Sequence, residues 1–226
     1  NIGITYNRIG QFEKAIEADN NFADAYAGLA NAWFNLSAWG IIAGYEGFIK
    51  ARDLSSKAIE LDPDCAEGHA VMGAYLIWPE RRFEEGRKEL ETSVRLNPNF
   101  STAHQWYAQL LMITGPIEDA RRQMDLAVEQ EPFFWVVQNL NAWVYYFEGK
   151  HKQAIEACIS AHDLKPDFYE NNWLLFLNYA KLGEGEKAAK ELQNIARLFP
   201  AASDYPDQIW NAWEQSGLTG LFSWLV

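Results

Sequence analysis

The sequence predicts an all-α solenoid of helix-turn-helix repeats, and three observations carry that expectation. Prolines stand at 63, 98, 132, 166 and 200, with gaps of 35, 34, 34 and 34 residues. Glycines at 115, 149 and 183 form a second ruler with gaps of 34 and 34. Between the marks run apolar stretches of helical spacing. In "SVRLNPNFSTAHQWYA" (93–108) one run stops at Asn97-Pro98 and another begins at once. Proline lacks an N–H and pushes the preceding residue out of the α region. Helices therefore end at "ELDP", "RLNP", "EQEP", "DLKP" and "RLFP". Glycine permits φ > 0 and supplies the turn inside each helix pair, as in "YAKLGEGEKAAKEL" (179–192).

Taken in order, residues 1–22 read as a partial repeat, the second helix of an earlier unit, with Asn20 in the place of the proline. Repeat 23–65 carries Tyr26, Leu29, Ala30 and Trp33, then Ala51 and Ala58, then Pro63. It is 43 residues long, and its extra residues fall in "LSAWGIIAGYEGFI" (36–49), a long turn with room for one more helical turn. Repeat 66–100 carries His69, Met72, Gly73 and Leu76, then Gly86, Leu90 and Ser93. Repeat 101–134 carries His104, Tyr107, Ala108 and Leu111, then Ala120, Met124 and Ala127. Repeat 135–168 carries Gln138, Asn141, Ala142 and Tyr145, then Ala154, Cys158 and Ala161. Repeat 169–202 carries Asn172, Leu175, Phe176 and Tyr179, then Ala188, Leu192 and Ile195. Small residues at 86, 120, 154 and 188 let helices approach, and larger ones four positions later fill the space beside them. Residues 203–226 begin as a further helix and then leave the pattern, a C-terminal helical cap.

Composition bounds the function. The chain has 226 residues, 49% hydrophobic, which suits a folded protein. Nineteen Lys and Arg against 31 Asp and Glu give a net charge of −12, which repels phosphate backbones and argues against nucleic-acid binding by this region. Cys65 and Cys158 lie far apart, with no CxxC and no histidine pair beside them, so they read as buried small side chains. The best membrane candidate, "FFWVVQNLNAWVYYF" (133–147), is interrupted by Gln138, Asn139 and Asn141, so no insertion is expected. The chain starts at Asn1 and ends on "LFSWLV", which reads as a piece of a longer protein. A cytoplasmic location is expected, or a periplasmic one if a membrane segment precedes it.

The residue order in each unit follows the 34-residue tetratricopeptide pattern. At "NNFADAYAGLANAW", "AIELDPDCAEGHAVMGAYL" and "LNPNFSTAHQWYAQLL" the chain resembles the C-terminal tetratricopeptide regions of bacterial signalling proteins. Some of those carry a winged-helix domain of the CadC type, others a nucleotide cyclase or a protein kinase domain. The resemblance covers roughly residues 12–200, including the long turn of the first full unit. It implies a right-handed superhelix whose concave groove binds polypeptides, and no catalytic residue or cofactor in this region.

The resemblance places the groove on the first helix of each unit. The fifth positions read Ala27, Ala70, Gln105, Asn139 and Trp173. The ninth read Asn31, Ala74, Gln109, Trp143 and Leu177, and the twelfth Phe34, Ile77, Met112, Tyr146 and Ala180. These rows hold no Lys or Arg, which argues against the cationic clamp that some family members use on C-terminal carboxylates. The candidate peptide-binding residues are Asn31, Gln105, Gln109, Asn139, Trp143, Tyr146 and Trp173. Amides can pair with a peptide backbone and aromatics can anchor apolar side chains; equally, the aromatics can simply pack together.

Other chemistry is sparse. His69 and His104 share one repeat position, as packing groups or as a metal-binding or pH-sensing pair, without an evident third ligand. His151 and His162 read as solvated, and so does the charged face "ERRFEEGRKELE" (80–91). "GEGEKAAK" (183–190) is a repeat turn and not a phosphate loop. No metal and no cofactor is expected. The functional expectation is a non-catalytic interaction or sensor module of a bacterial signalling protein. The regulatory region of a cyclase and an envelope scaffold are the alternatives. The partner is a polypeptide segment from another protein, from the same protein or from a second copy.

Overall fold

A computed structural model describes residues 2–198 and 204–225. The last mark of the proline ruler, Pro200, lies outside the described residues, as does the junction expected at 202/203. Among the described residues the chain is all-α, with twelve helices and no strand. It divides into two compact units, the first ending at Gly115 and the second starting at Pro116.

The first unit holds α1 (Ile2–Ala18), α2 (Ala23–Ala38), α3 (Glu46–Leu61), α4 (Ala66–Ile77), α5 (Phe83–Leu96) and α6 (Ser101–Thr114). Sequential helices pack as antiparallel neighbours, most extensively α2 with α3 and α4 with α5. The core gathers Ala30, Phe34, Ala51, Val71, Ala74, Ile77, Leu90, Trp106 and Leu110. Ring contacts run through it, from Phe48 to Phe34 at 5.4 Å and from Phe34 to Trp106 at 5.2 Å. The insertion extends α2 to Ala38 and leaves a loop over 39–45. Tyr45 fastens that loop: its hydroxyl donates to Glu80, which also accepts from Tyr75 at 2.7 Å.

The second unit holds α7 (Ile117–Gln130), α8 (Trp135–Phe147), α9 (His151–Leu164), α10 (Tyr169–Lys181), α11 (Gly185–Arg197) and α12 (Tyr205–Trp224). Ala142, Cys158, Leu174 and Leu175 form one cluster; Phe176, Ala188, Leu192, Ile209 and Leu221 form another. Arg121 ties α7 to α8 by donating to Asn141 Oδ1 at 2.7 Å, pairing with Glu148 at 3.1 Å and lying 3.9 Å over the Tyr145 ring. Helix α12 breaks at Gly217 (φ 59°, ψ −143°) and folds back. Tyr205 and Trp224 meet at 5.4 Å, and a Cβ on Gly220 would sit 2.0 Å from the Ala212 carbonyl oxygen. This hairpin covers the apolar side of the α10–α11 pair.

The glycine ruler behaves unevenly. Gly149 and Gly183 take left-handed φ values of 74° and 75°, as the sequence predicts. Arg81, 34 residues before Gly115, takes φ 59° in the equivalent turn. Gly115 itself is extended, at φ −129° and ψ −178°. Pro116 follows it directly, and proline drives the residue before it to extended backbone. The reading of Gly115 as a left-handed turn is therefore corrected.

Candidate functional site

The loop prolines anchor the first helices through a recurring hydrogen bond. His69 Nε2 donates to the Pro63 carbonyl at 2.9 Å, His104 Nε2 to Pro98 at 2.9 Å, and Gln138 Nε2 to Pro132 at 2.7 Å. Each donor lies six residues after its proline. The same helix position also reaches the second helix of its pair: His69 Nδ1 meets Glu89 Oε2 at 2.6 Å, and Asn172 Nδ2 donates to Glu191 Oε2 at 2.8 Å. Both nitrogens of His69 thus face acceptors, and the Glu89 hydrogen bond holds its pKa above the ordinary value. No cluster of three or more metal-ligating side chains occurs among the described residues. His151 departs from its expected solvation: it is half-buried, with Nδ1 at 3.0 Å from Asn178 Oδ1 and its ring against Tyr146. His162 is half-buried too. The face over 80–91 is not merely solvated, since Glu80, Glu89 and Glu91 accept from Tyr45, His69 and Tyr107.

Of the candidate binding residues, Asn31, Gln105 and Gln109 lie in the first unit, and Asn139, Trp143, Tyr146 and Trp173 in the second. Asn31 Nδ2 donates to Glu67 Oε1 at 2.7 Å, joining α2 to α4, and its own Oδ1 accepts from Asn35 at 2.6 Å. Burial raises the Glu67 pKa, and the Asn31 hydrogen bond offsets part of that rise. Gln105 is buried and Gln109 half-buried. Asn139 is buried and donates to Asn171 Oδ1 at 2.8 Å, joining α8 to α10. The Asn171 Nδ2 amide is buried without a hydrogen-bond partner. Trp143 is half-buried, stacked on Phe147 at 5.9 Å and edge-on to Tyr146 at 5.9 Å. Trp173 leans on Phe176 at 5.2 Å. The structure therefore gathers Trp143, Tyr146 and Phe147 on one helix and turns Asn139 inward. Phe147, 53% exposed, was missed because it sits one residue beyond the expected row. Both cysteines are buried and free, and burial pushes the Cys158 thiol up to about 12, which leaves it a poor nucleophile at neutral pH. No helix among the described residues is long and apolar enough to cross a membrane.

No family model and no curated protein sequence matches the chain. Solved structures do. YrrB, a tetratricopeptide-repeat protein with an unusual peptide-binding site, is similar at 21% identity and a TM-score of 0.58, over 84% of this chain and 92% of its own. Human IFIT1, solved as a dimer with m7Gppp-AAAA, is similar at 17% identity and a TM-score of 0.71, over 98% of this chain and 54% of its own. The Cut9–Hcn1 hetero-tetramer of the APC/C shows 14% identity and a TM-score of 0.67, over 93% of this chain and 40% of the matched one. The chain thus spans about half the length of the IFIT1 chain it matches. At these identities the likeness shows the fold, which is that of tetratricopeptide helix-turn-helix repeats.

Proposed function

We propose that this chain is a non-catalytic polypeptide-binding module of a bacterial signalling or transcription-regulating protein. The observation that carries the binding half is the aromatic cluster of α8. Trp143, Tyr146 and Phe147 form a continuous face, and Phe147 is 53% exposed. A helix surface that displays such a face suits an uncharged or weakly basic segment, with apolar anchors supplying the affinity. The peptide-binding site of YrrB, a structural neighbour, agrees with this reading. The RNA bound by IFIT1 is not carried over, because a net charge of −12 opposes phosphate. The signalling context rests on the sequence resemblance over roughly 12–200, and a cyclase could stand in place of the regulator domain.

A peptide-array screen against wild type and Trp143→Ala tests the binding half. Uncharged or basic apolar peptides should be selected, and with the uncharged ones, which the acidic surface elsewhere does not attract, the variant should lose about 2 kcal/mol of binding or more. Selection of acidic C-terminal peptides, or binding of the uncharged peptides that survives loss of Trp143, would overturn it.

A further inference from the structure

The loop between α7 and α8 departs from its counterparts in a way that packing does not explain. The residue after the repeat proline is Asp64, Asn99 and Asp167 in three loops, and Phe133 here. The third residue after the proline is Ala66 and Ser101 in the first unit's loops, and Trp135 here. Polar residues suit this position because it faces solvent: Asp64, Asn99 and Asp167 are all exposed, and the side chains that accept the turn's backbone N–H groups, Asp62 and Asn97, precede the proline. Phe133 stands 84% exposed, more than any other large apolar side chain described. It does not stand alone. Phe134 contacts Trp135 at 6.3 Å, Trp135 meets Phe168 of the next loop at 4.6 Å, and Phe168 contacts Tyr169 at 6.2 Å. Phe134 and Tyr169 are themselves exposed. An open surface cavity of about 380 Å³ lies beside Phe133 and Phe134, floored by Gln130, Glu131 and Pro132.

The charge around this ledge is predominantly negative. Glu129 and Glu131 flank it on the α7 side and Asp163 and Asp167 on the α9 side, all four exposed, with Glu170 half-buried at the start of α10. The one cation in these two stretches, Lys165, is tied to Asp167. We propose that this loop ledge is a second docking surface, separate from the helix face described above, for a basic segment of another protein that alternates Arg or Lys with apolar side chains. Aromatic faces attract cations, most strongly Arg, and the carboxylates add long-range attraction. A second copy of this chain fits badly, because each copy would present the same acidic rim on a molecule of net charge −12.

Titration of fluorescein-labelled peptides of about a dozen residues, followed by anisotropy, tests this. The probes alternate Leu with Arg, with Glu or with Ser. The Arg–Leu peptide should bind wild type, weaken about tenfold with Phe133→Ser, and weaken also with Glu129→Lys or added salt. Phe133 is too exposed for its loss to unfold the chain, and an unchanged circular dichroism melt checks that. Trp143→Ala should leave this binding in place, so failure here is distinguishable from failure of the helix-face reading. Equal binding of the Glu–Leu or Ser–Leu peptide would overturn the proposal. So would no binding of the Arg–Leu peptide, or binding unchanged by Phe133→Ser. Sedimentation showing self-association that Phe133→Ser abolishes would assign the ledge to a second copy instead.

Discussion

His69 shows how one side chain can fix a repeat. It spans the loop proline on one side and the second helix on the other, with acceptors at 2.9 and 2.6 Å. Only the imidazolium form donates to both at once. Its pKa is raised first by the Glu89 hydrogen bond, opposed by burial and by the charge of Arg95. Folding therefore favours the protonated form. The stabilisation is complete below about 6.5, the ordinary histidine value, and is lost as pH rises through the higher folded value. His69→Gln keeps the bond to the Pro63 carbonyl, as Gln138 does at Pro132. Wild type should exceed the variant by roughly 1 kcal/mol below that range, a value held down because the Glu89 side chain is 31% exposed. The gap should shrink as pH rises. Urea midpoints across pH 5.5 to about 9 measure it, and a gap independent of pH would mean the ring only packs. The shared register of His69 and His104 was legible in the sequence, but their role was not, because the carbonyl each meets belongs to a loop whose path only the fold defines.

At the scale of helices, close approach decides which glycines can be replaced. A Cβ on Gly86 would lie 2.4 Å from Ile77 Cγ1 and 2.9 Å from the Gly73 carbonyl oxygen, so α5 and α4 nearly touch there. Gly86→Ala gains about 1 kcal/mol of helix propensity but forces this contact apart at a cost of about 1–3 kcal/mol, and the cost wins because one obstacle is backbone. Gly10, inside α1, has no atom within 4 Å of its would-be Cβ, so Gly10→Ala should keep the full gain of about 1 kcal/mol. Denaturant melts should move in opposite directions for the two variants, and a common sign would sink the packing argument. The small-residue position at 86 was visible in the sequence as periodicity. The Arg121 network with Asn141, Glu148 and Tyr145 was not, since a charged residue on a helix reads as solvated until its neighbours are known. The inward turn of Asn139 was hidden for a related reason: an amide reads alike whether it faces a ligand or a buried Asn171.

Across the whole chain, the 34-residue period made the fold class legible, because proline and glycine act locally and their spacing survives any change in the helix surfaces. It did not reveal the division after Gly115, nor that Pro116 would hold that glycine extended. The charge pattern is equally readable and leads to a test. The molecule carries −12, and its exposed ion pairs are mostly local: Lys50 with Glu46 at 2.9 Å, Lys57 with Glu60 at 3.2 Å and Lys190 with Glu186 at 2.6 Å are all about one helical turn apart. Such exposed pairs contribute about 0.3–0.5 kcal/mol each and persist in part in any residual helix of the unfolded chain. The surplus carboxylates repel one another in the compact state over distances of 10 Å and more, about the Debye length at 0.1 M salt. Screening should therefore relieve more repulsion than it removes attraction. At neutral pH the urea midpoint should rise as monovalent salt goes from about 10 mM to about 150 mM, then level off once the screening length falls below the spacing of the surplus charges. Urea is uncharged, so the comparison isolates ionic strength. A midpoint that falls over that range would mean the local pairs outweigh the net charge. It would also remove the electrostatic ground on which an acidic partner is rejected in favour of an uncharged or basic one.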